Sequence, residues 1–303
     1  MATTPNGRPP IGRTPQFGGD GFSGHRARKR FGQNFLVDTG VIQRIVTTLA
    51  PQPADSVVEI GAGRGALTEF LVDSGCDLTL IEIDRDLAHG LQQRYPDVPL
   101  IQGDALRLDY SELLDPPRPF RVVGNLPYNI STPLMFHLLD HSRWIRDAHF
   151  MLQDEVVQRL TAVPGEKAWG RLGVMIQYRC QVERLFAVPA EAFSPRPQVR
   201  SRIVRLVPRS EPEVRAMDEE MFATVVRSAF NMRRKTLRNG LKSVPGIDQG
   251  AWDALEAAGV DLRVRPETLS VAEFVGIANV LSSLGPESGP SSSPGSSLGP
   301  SAG

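Results

Sequence analysis

Short apolar runs at residues 57–60, 78–83, 98–101, 121–124 and 148–152 read as strands, and helix-length or loop segments separate them. Residues 66–72 continue the first run with helical spacing after a cluster of glycines. A repeated strand, helix, strand order predicts an α/β fold, a doubly wound Rossmann-like sheet that is mainly parallel with helices on both faces. In such a sheet ligands gather at the carboxyl ends of the strands. After a last strand at 202–207 the pattern turns helical over 218–242, 249–258 and 270–284, which predicts a small all-helical C-terminal domain. Residues 1–24 and 285–303, rich in Gly, Pro and Ser, lack the apolar surface needed to offset ordering entropy, so disordered tails are expected there. The expected organisation is therefore a sheet domain at 25–209 and a helical domain at 210–284, with no internal repeat.

A hydrophobic fraction of 41% supports a packed core, and no apolar run reaches the roughly 20 residues needed to cross a bilayer. A membrane-spanning protein is excluded on that ground, and no membrane partner is expected. Cys76 and Cys180 are too few for a disulfide framework, and no Cys/His cluster has metal-ligand spacing, so no metal is expected. Buried, inert thiols in a reducing, cytoplasmic compartment are expected. The start of the chain lacks the apolar core of a secretory signal. Its arginines suggest an organelle-targeting peptide, which Pro and Gly throughout residues 1–24 oppose.

The 34 basic residues balance 34 acids, yet their placement is uneven. Half of all Lys and Arg fall within residues 1–32, 194–209 and 227–242, where Asp20 is the only acid. Such arginine-rich stretches suit phosphate contacts, although they also suit solvated faces.

The segment Val57-Val58-Glu59-Ile60-Gly61-Ala62-Gly63-Arg64-Gly65 carries a strand into a glycine turn, where the backbone can approach a ligand closely. Glu82 ends the next strand and can accept both hydroxyls of a ribose; Asp104 follows the third strand and suits an adenine amino group. A dinucleotide site also uses a glycine turn and a ribose acid, and any of these acids can be a helix cap. The fourth strand ends in Val123-Gly124-Asn125-Leu126-Pro127-Tyr128-Asn129. An exocyclic base amine is a poor nucleophile because its lone pair is delocalised. The Asn125 side-chain oxygen and a backbone carbonyl, accepting its two hydrogens, would favour a pyramidal nitrogen while Tyr128 stacks on the base. Chemistry of this kind needs positioning and electrostatics rather than a strong base.

Five separated motifs carry a family resemblance. They are Arg28-Lys29-Arg30-Phe31-Gly32-Gln33-Asn34-Phe35-Leu36, the Glu-Ile-Gly-Ala-Gly turn, NLPYNIST from Asn125, Phe193-Ser194-Pro195-Arg196-Pro197-Gln198-Val199, and Phe230-Asn231-Met232-Arg233-Arg234-Lys235-Thr236. In this order the chain resembles the ribosomal RNA adenine dimethylases, and within them the bacterial small-subunit enzymes, over about residues 25–284. The resemblance implies S-adenosylmethionine as methyl donor and N6 dimethylation of two adjacent adenosines in the hairpin near the 3′ end of 16S rRNA, in an immature small subunit. It implies cofactor contacts at Asn34, Leu36, Gly61, Glu82, Asp104 and Asn125, and a catalytic group of Asn125, Leu126, Pro127, Tyr128 and Phe193. Phe193 would be a second aromatic sandwiching the base, held out on a stiff loop by its prolines, the alternative being a core phenylalanine. Arg28, Lys29, Arg30, Arg196, Arg233, Arg234 and Lys235 are the expected RNA contacts, forming one basic surface around the pocket mouth. His137 and His141, four apart with no third ligand, are expected to be structural. Arg64-Gly65 departs from the apolar or small residues of some relatives. A monomer is the default expectation. Three other readings share these features: an RNA-binding assembly factor, a resistance methylase acting on large-subunit RNA, and a mitochondrial relative, which the N-terminal composition disfavours.

Overall fold

The computed structural model describes residues 33–284. The expected tails at 1–24 and 285–303, and the basic residues Arg28, Lys29 and Arg30, lie outside the described residues. Two compact units are present among the described residues: one takes residues 33–162 together with Ile176–Pro212, the other takes Val163–Met175 and residues 213–284. Residues 163–175, inside the span expected for the sheet domain, thus group with the second unit.

In chain order the first unit contains β1 (Phe35–Leu36), α1 (Thr39–Leu49), β2 (Ser56–Ile60), α2 (Thr68–Asp73), β3 (Asp77–Glu82), α3 (Arg85–Arg94), β4 (Leu100–Gln102) and β5 (Phe120–Asn125). It continues through α4 (Ser131–Asp140), β6 (Ile145–Gln153) and α5 (Asp154–Thr161). Helix α6 (Arg171–Arg179) leads into β7 (Cys180–Val188), β8 (Phe193–Ser194) and β9 (Ser201–Pro208). The main sheet runs β4-β3-β2-β5-β6-β9-β7. Its first five strands are parallel, and β9 and β7 join antiparallel. Val57, Val123, Met151 and Ile203 share a core with Ile42, Ile45 and Leu49 of α1 and Leu71 of α2. The alternate positions Val58, Val122, Phe150 and Val204 are fully buried as well, so both faces of the sheet are covered, as a parallel sheet requires.

The chain leaves β2 toward β3 and β4 on one side, then returns to place β5 and β6 on the other. That reversal, between β2 and β5, is where a doubly wound sheet opens a crevice at its carboxyl edge. Gly124 lets the two strands approach there: a Cβ at this position would lie 2.5 Å from the Ile60 carbonyl oxygen.

The second unit contains α7 (Glu219–Asn231), α8 (Leu237–Leu241), α9 (Gln249–Ala257) and α10 (Val271–Ser283). Asp218 caps α7 by accepting from the Glu220 and Met221 amides, and Ser270 with Glu273 forms a capping box on α10. The continuous helix expected over 218–242 is broken at residues 232–236. Arg233 there turns aside to donate to Glu267 (2.8 Å), and the Leu237 and Arg238 amides donate to the Val264 and Leu262 carbonyls instead of continuing α7.

Candidate active site

The carboxyl ends of β2, β3, β4 and β5 surround an open cleft. Gly61 and Gly63, after β2, have φ of 72° and 61°, the left-handed backbone that lets this turn fold back against the sheet. The Gly61 amide donates to the Ile81 carbonyl (2.8 Å). Helix α2 starts only at Thr68, whose hydroxyl donates to the buried Glu59 carboxyl (2.6 Å).

Glu82, at the end of β3, stands where a dinucleotide fold also places its ribose acid. Its Oε2 accepts from the Gly63 amide (2.8 Å) and its Oε1 from the Asp84 amide (2.9 Å). Burial raises the Glu82 carboxyl above its ordinary range, and those amides work against the rise. Each oxygen keeps a further lone pair for a ribose hydroxyl. Asp104 follows β4 and caps its own turn through the Leu106 amide (3.0 Å). Among the described residues the lining of the cleft contains no Lys or Arg, and the carboxylates of Glu82 and Asp104 face it. A ligand carrying positive charge, a ribose and an adenine fits this donor set. S-adenosylmethionine, with its sulfonium and ammonium groups, has that chemistry.

Asn125 ends β5 half-buried in the cleft, and its Nδ2 donates to the Asn34 carbonyl (3.0 Å). Leu126, Pro127 and Tyr128 line the cleft beyond it. The Ile130 amide donates to the Pro127 carbonyl (3.1 Å), and the Tyr128 hydroxyl pairs with Ser201 Oγ (2.8 Å), fixing the ring by its distal end.

Of the expected site residues, the cleft brings together Asn34, Gly61, Glu82, Asp104, Asn125, Leu126, Pro127 and Tyr128. Leu36 and Phe193 do not line it. They face each other across the β1–β8 pair, each 5% exposed, within the core cluster. The expectation that prolines hold Phe193 out on a loop is therefore corrected: pairing with β1 turns the ring inward, and the Ala192 carbonyl accepts the Val37 amide (2.8 Å) beside it. Sequence reasoning missed Gln33, Phe35, Ile83, Leu87, Ala105 and Ile130 as lining residues. Ile83 had a partial signal in the sequence, an apolar side chain between the acids Glu82 and Asp84, and the structure leaves it 46% exposed.

The arginine-rich stretches are less free than their spacing suggests. On β9, Arg202 is paired with Asp154, and Arg205 donates to Asp147 (3.0 Å) in a buried network that also holds Arg121. Arg196 is paired with Glu191, and Arg233 with Glu267 and the Lys167 carbonyl. Arg234 and Lys235 are exposed. His137 and His141 pack edge-on against Tyr110, His137 meeting the Leu108 carbonyl (2.9 Å) and His141 the His137 carbonyl (3.0 Å). Cys180 is buried, with its thiol pushed up to about 12, whereas Cys76 is only half-buried. Among the described residues no helix is long and apolar enough to cross a membrane.

Residues 24–283 match the family model described as ribosomal RNA adenine dimethylase. A ribosomal RNA small subunit methyltransferase A from Chromohalobacter salexigens is 56% identical over 269 residues, covering 86% of this chain and 94% of that one. The crystal structure of the 23S rRNA methyltransferase ErmE superposes with a TM-score of 0.63 at 29% identity, over 82% of this chain and all of its own. A dimethyladenosine transferase from Plasmodium falciparum shares the fold, with a TM-score of 0.69 at 24% identity over 80% of this chain and 95% of that one.

Proposed function

The chain belongs to the ribosomal RNA adenine dimethylase family, and from that premise we propose that it is the S-adenosylmethionine-dependent enzyme that dimethylates N6 of two adjacent adenosines near the 3′ end of 16S rRNA. The observation that carries the reading is the convergence of the glycine turn, Glu82, Asp104 and Asn125 from four strand ends on one cleft.

When bound, S-adenosylmethionine supplies an electrophilic methyl group. Glu82 holds the ribose hydroxyls while keeping the glycine turn closed through Gly63. Asp104 accepts from the adenine amino group. Asn125 Oδ1 and the Leu126 carbonyl accept the two N–H hydrogens of the target amine, which turns its lone pair out of conjugation toward the methyl group. Tyr128, tethered to Ser201, gives the target base a flat surface. The methylated nitrogen is acidic enough to release its proton without a side-chain base, so the chain acts by placement.

Substrate recognition rests on the shape of assembled RNA in an immature small subunit, gripped through phosphates by Arg196, Arg234 and Lys235 and by the N-terminal Arg28, Lys29 and Arg30. Arg233 acts there mainly by shaping the turn that displays its neighbours. The protein works as a cytoplasmic monomer. The likeness to ErmE supports a second reading, a methylase of large-subunit RNA. Incubating the protein with labelled S-adenosylmethionine and immature small subunits, then large subunits, and mapping the label tests both: two adjacent dimethyladenosines in 16S rRNA are expected, and label confined to 23S rRNA would overturn the reading.

A further inference from the structure

We propose that Gln33 and the main-chain carbonyl of Asn34 are positioning groups for Asn125, holding its amide so that Oδ1 and not Nδ2 faces the substrate amine; this rests on the function proposed above. An asparagine amide is nearly symmetric in shape, and nothing in its own rotamer chooses which end is presented. The wrong end would set an NH2 donor against the NH2 donor of the base. In the cleft the choice is made by the Asn34 carbonyl, which accepts from Asn125 Nδ2 at 3.0 Å. Flipping the amide would place two acceptor oxygens together there, so the flipped form loses a hydrogen bond and gains a repulsion.

The carbonyl can choose only if its segment is fixed, and two side chains flanking Asn34 fix it. Gln33 Nε2 donates to Asp84 Oδ2 at 3.1 Å. Asp84 is 1% exposed and is itself held, its Oδ1 accepting the Asp86 amide (3.0 Å) and its own amide donating to Glu82. On the other side Phe35 is buried against the glycine turn, so close that a Cβ on Gly63 would meet its ring at 3.4 Å, and the Arg64 guanidinium lies 4.4 Å from the ring centroid. Residues 33–35 therefore tie the ends of β3, β2 and β5 to one another. Gln33 lines the cleft, with its Nε2 directed to Asp84. Its effect on chemistry passes through Asn34 to the Asn125 amide.

The test compares wild type, Gln33→Ala, Asn125→Asp and the double variant. Asn125→Asp removes the Nδ2 donor, so in that background the Asn34 carbonyl has nothing to orient. In cofactor-free protein the side-chain NH2 signal of Asn125, assigned by its disappearance in Asn125→Asp, is followed by NMR. Binding of S-adenosylmethionine by calorimetry and single-turnover methyl transfer complete the set. In Gln33→Ala the Asn125 signal is expected to shift and broaden, transfer to slow about ten-fold, and cofactor affinity to stay within about two-fold, because placement rather than binding is lost. Adding Gln33→Ala to Asn125→Asp should slow transfer little further. An unmoved Asn125 signal in Gln33→Ala overturns the proposal, as does a loss confined to cofactor affinity or an equal slowing in both backgrounds. The NMR comparison needs neither RNA nor cofactor, so it decides the positioning role even if small subunits prove not to be the substrate.

Discussion

Replacing Gly124 with alanine puts a Cβ 2.5 Å from the Ile60 carbonyl oxygen and 3.1 Å from Leu126 Cδ2. The first contact is to backbone in the fully buried strand β2, which has no flexible end to swing aside. Relief requires the ends of β2 and β5 to separate until the contact is about 3.4 Å, a movement of roughly 0.9 Å. Asn125 is the next residue on β5 and Gly61 directly follows β2, so the separation opens the distance between the catalytic amide and the glycine turn. A misplacement of about 1 Å at a reacting centre costs on the order of 100-fold in rate, and overpacking a core costs about 1–3 kcal/mol. Gly124→Ala is therefore expected to fold with a lowered melting temperature and to transfer methyl groups about 100-fold more slowly in a single turnover. The control is Gly276→Ala in α10, where an added Cβ meets nothing within 4 Å; a helix-interior alanine there should stabilise by about 0.5–1 kcal/mol. Full activity and an unchanged melting temperature in Gly124→Ala would refute the claim that close approach of β2 and β5 sets the site.

Glu59, buried and hydrogen-bonded to Thr68, has its carboxyl pushed from 4.5 to about 8 by burial, with Glu82 nearby adding to the rise. The folded state then keeps a proton that the unfolded chain releases, so this group costs stability progressively as pH rises from about 4.5 to 8; Glu59→Gln should gain melting temperature over wild type across that window, and parallel profiles would refute it. Reversing the charge of Arg234 and Lys235 should weaken subunit binding and reduce its salt slope by about 0.7–0.9 per lost phosphate contact, with no change in melting temperature. Arg233→Glu should instead lower melting temperature, since it breaks the Glu267 pair; a salt titration with thermal melts separates the two. Glu82→Ala should weaken S-adenosylmethionine binding and also lower thermal stability, because the Gly63 and Asp84 amides lose their acceptor; intact stability with weakened RNA binding would contradict this assignment.

The parallel core of the sheet was legible because strands buried on both faces are continuous apolar runs, and the site was legible because each strand end carries its own chemistry. Strand β7 was not. It is an edge strand whose Glu183 and Arg184 face solvent, and a bulge between Arg184 and Ala187 breaks its alternation. Charge misled for a different reason. Arg202 and Arg205 stand in a stretch without acids, yet the chain brings Asp154 and Asp147 to them from β6 and the start of α5, partners that no local spacing reveals. The inward turn of Phe193 likewise depends on Leu36, its partner across a two-residue ladder far away in sequence. Gln33 and Phe35 gave no chemical signal of their own. Their roles exist only once β1 lies against the glycine turn.

Asn125→Ala is the most direct measurement of the account. Removing the amide takes away one of two acceptors for the target amine while leaving Glu82, Asp104 and the glycine turn in place. Turnover on small subunits is predicted to fall about 100- to 1,000-fold, with S-adenosylmethionine affinity only partly weakened. Near-normal turnover, or a loss that saturating cofactor restores, would contradict the claim that this amide positions the nucleophile.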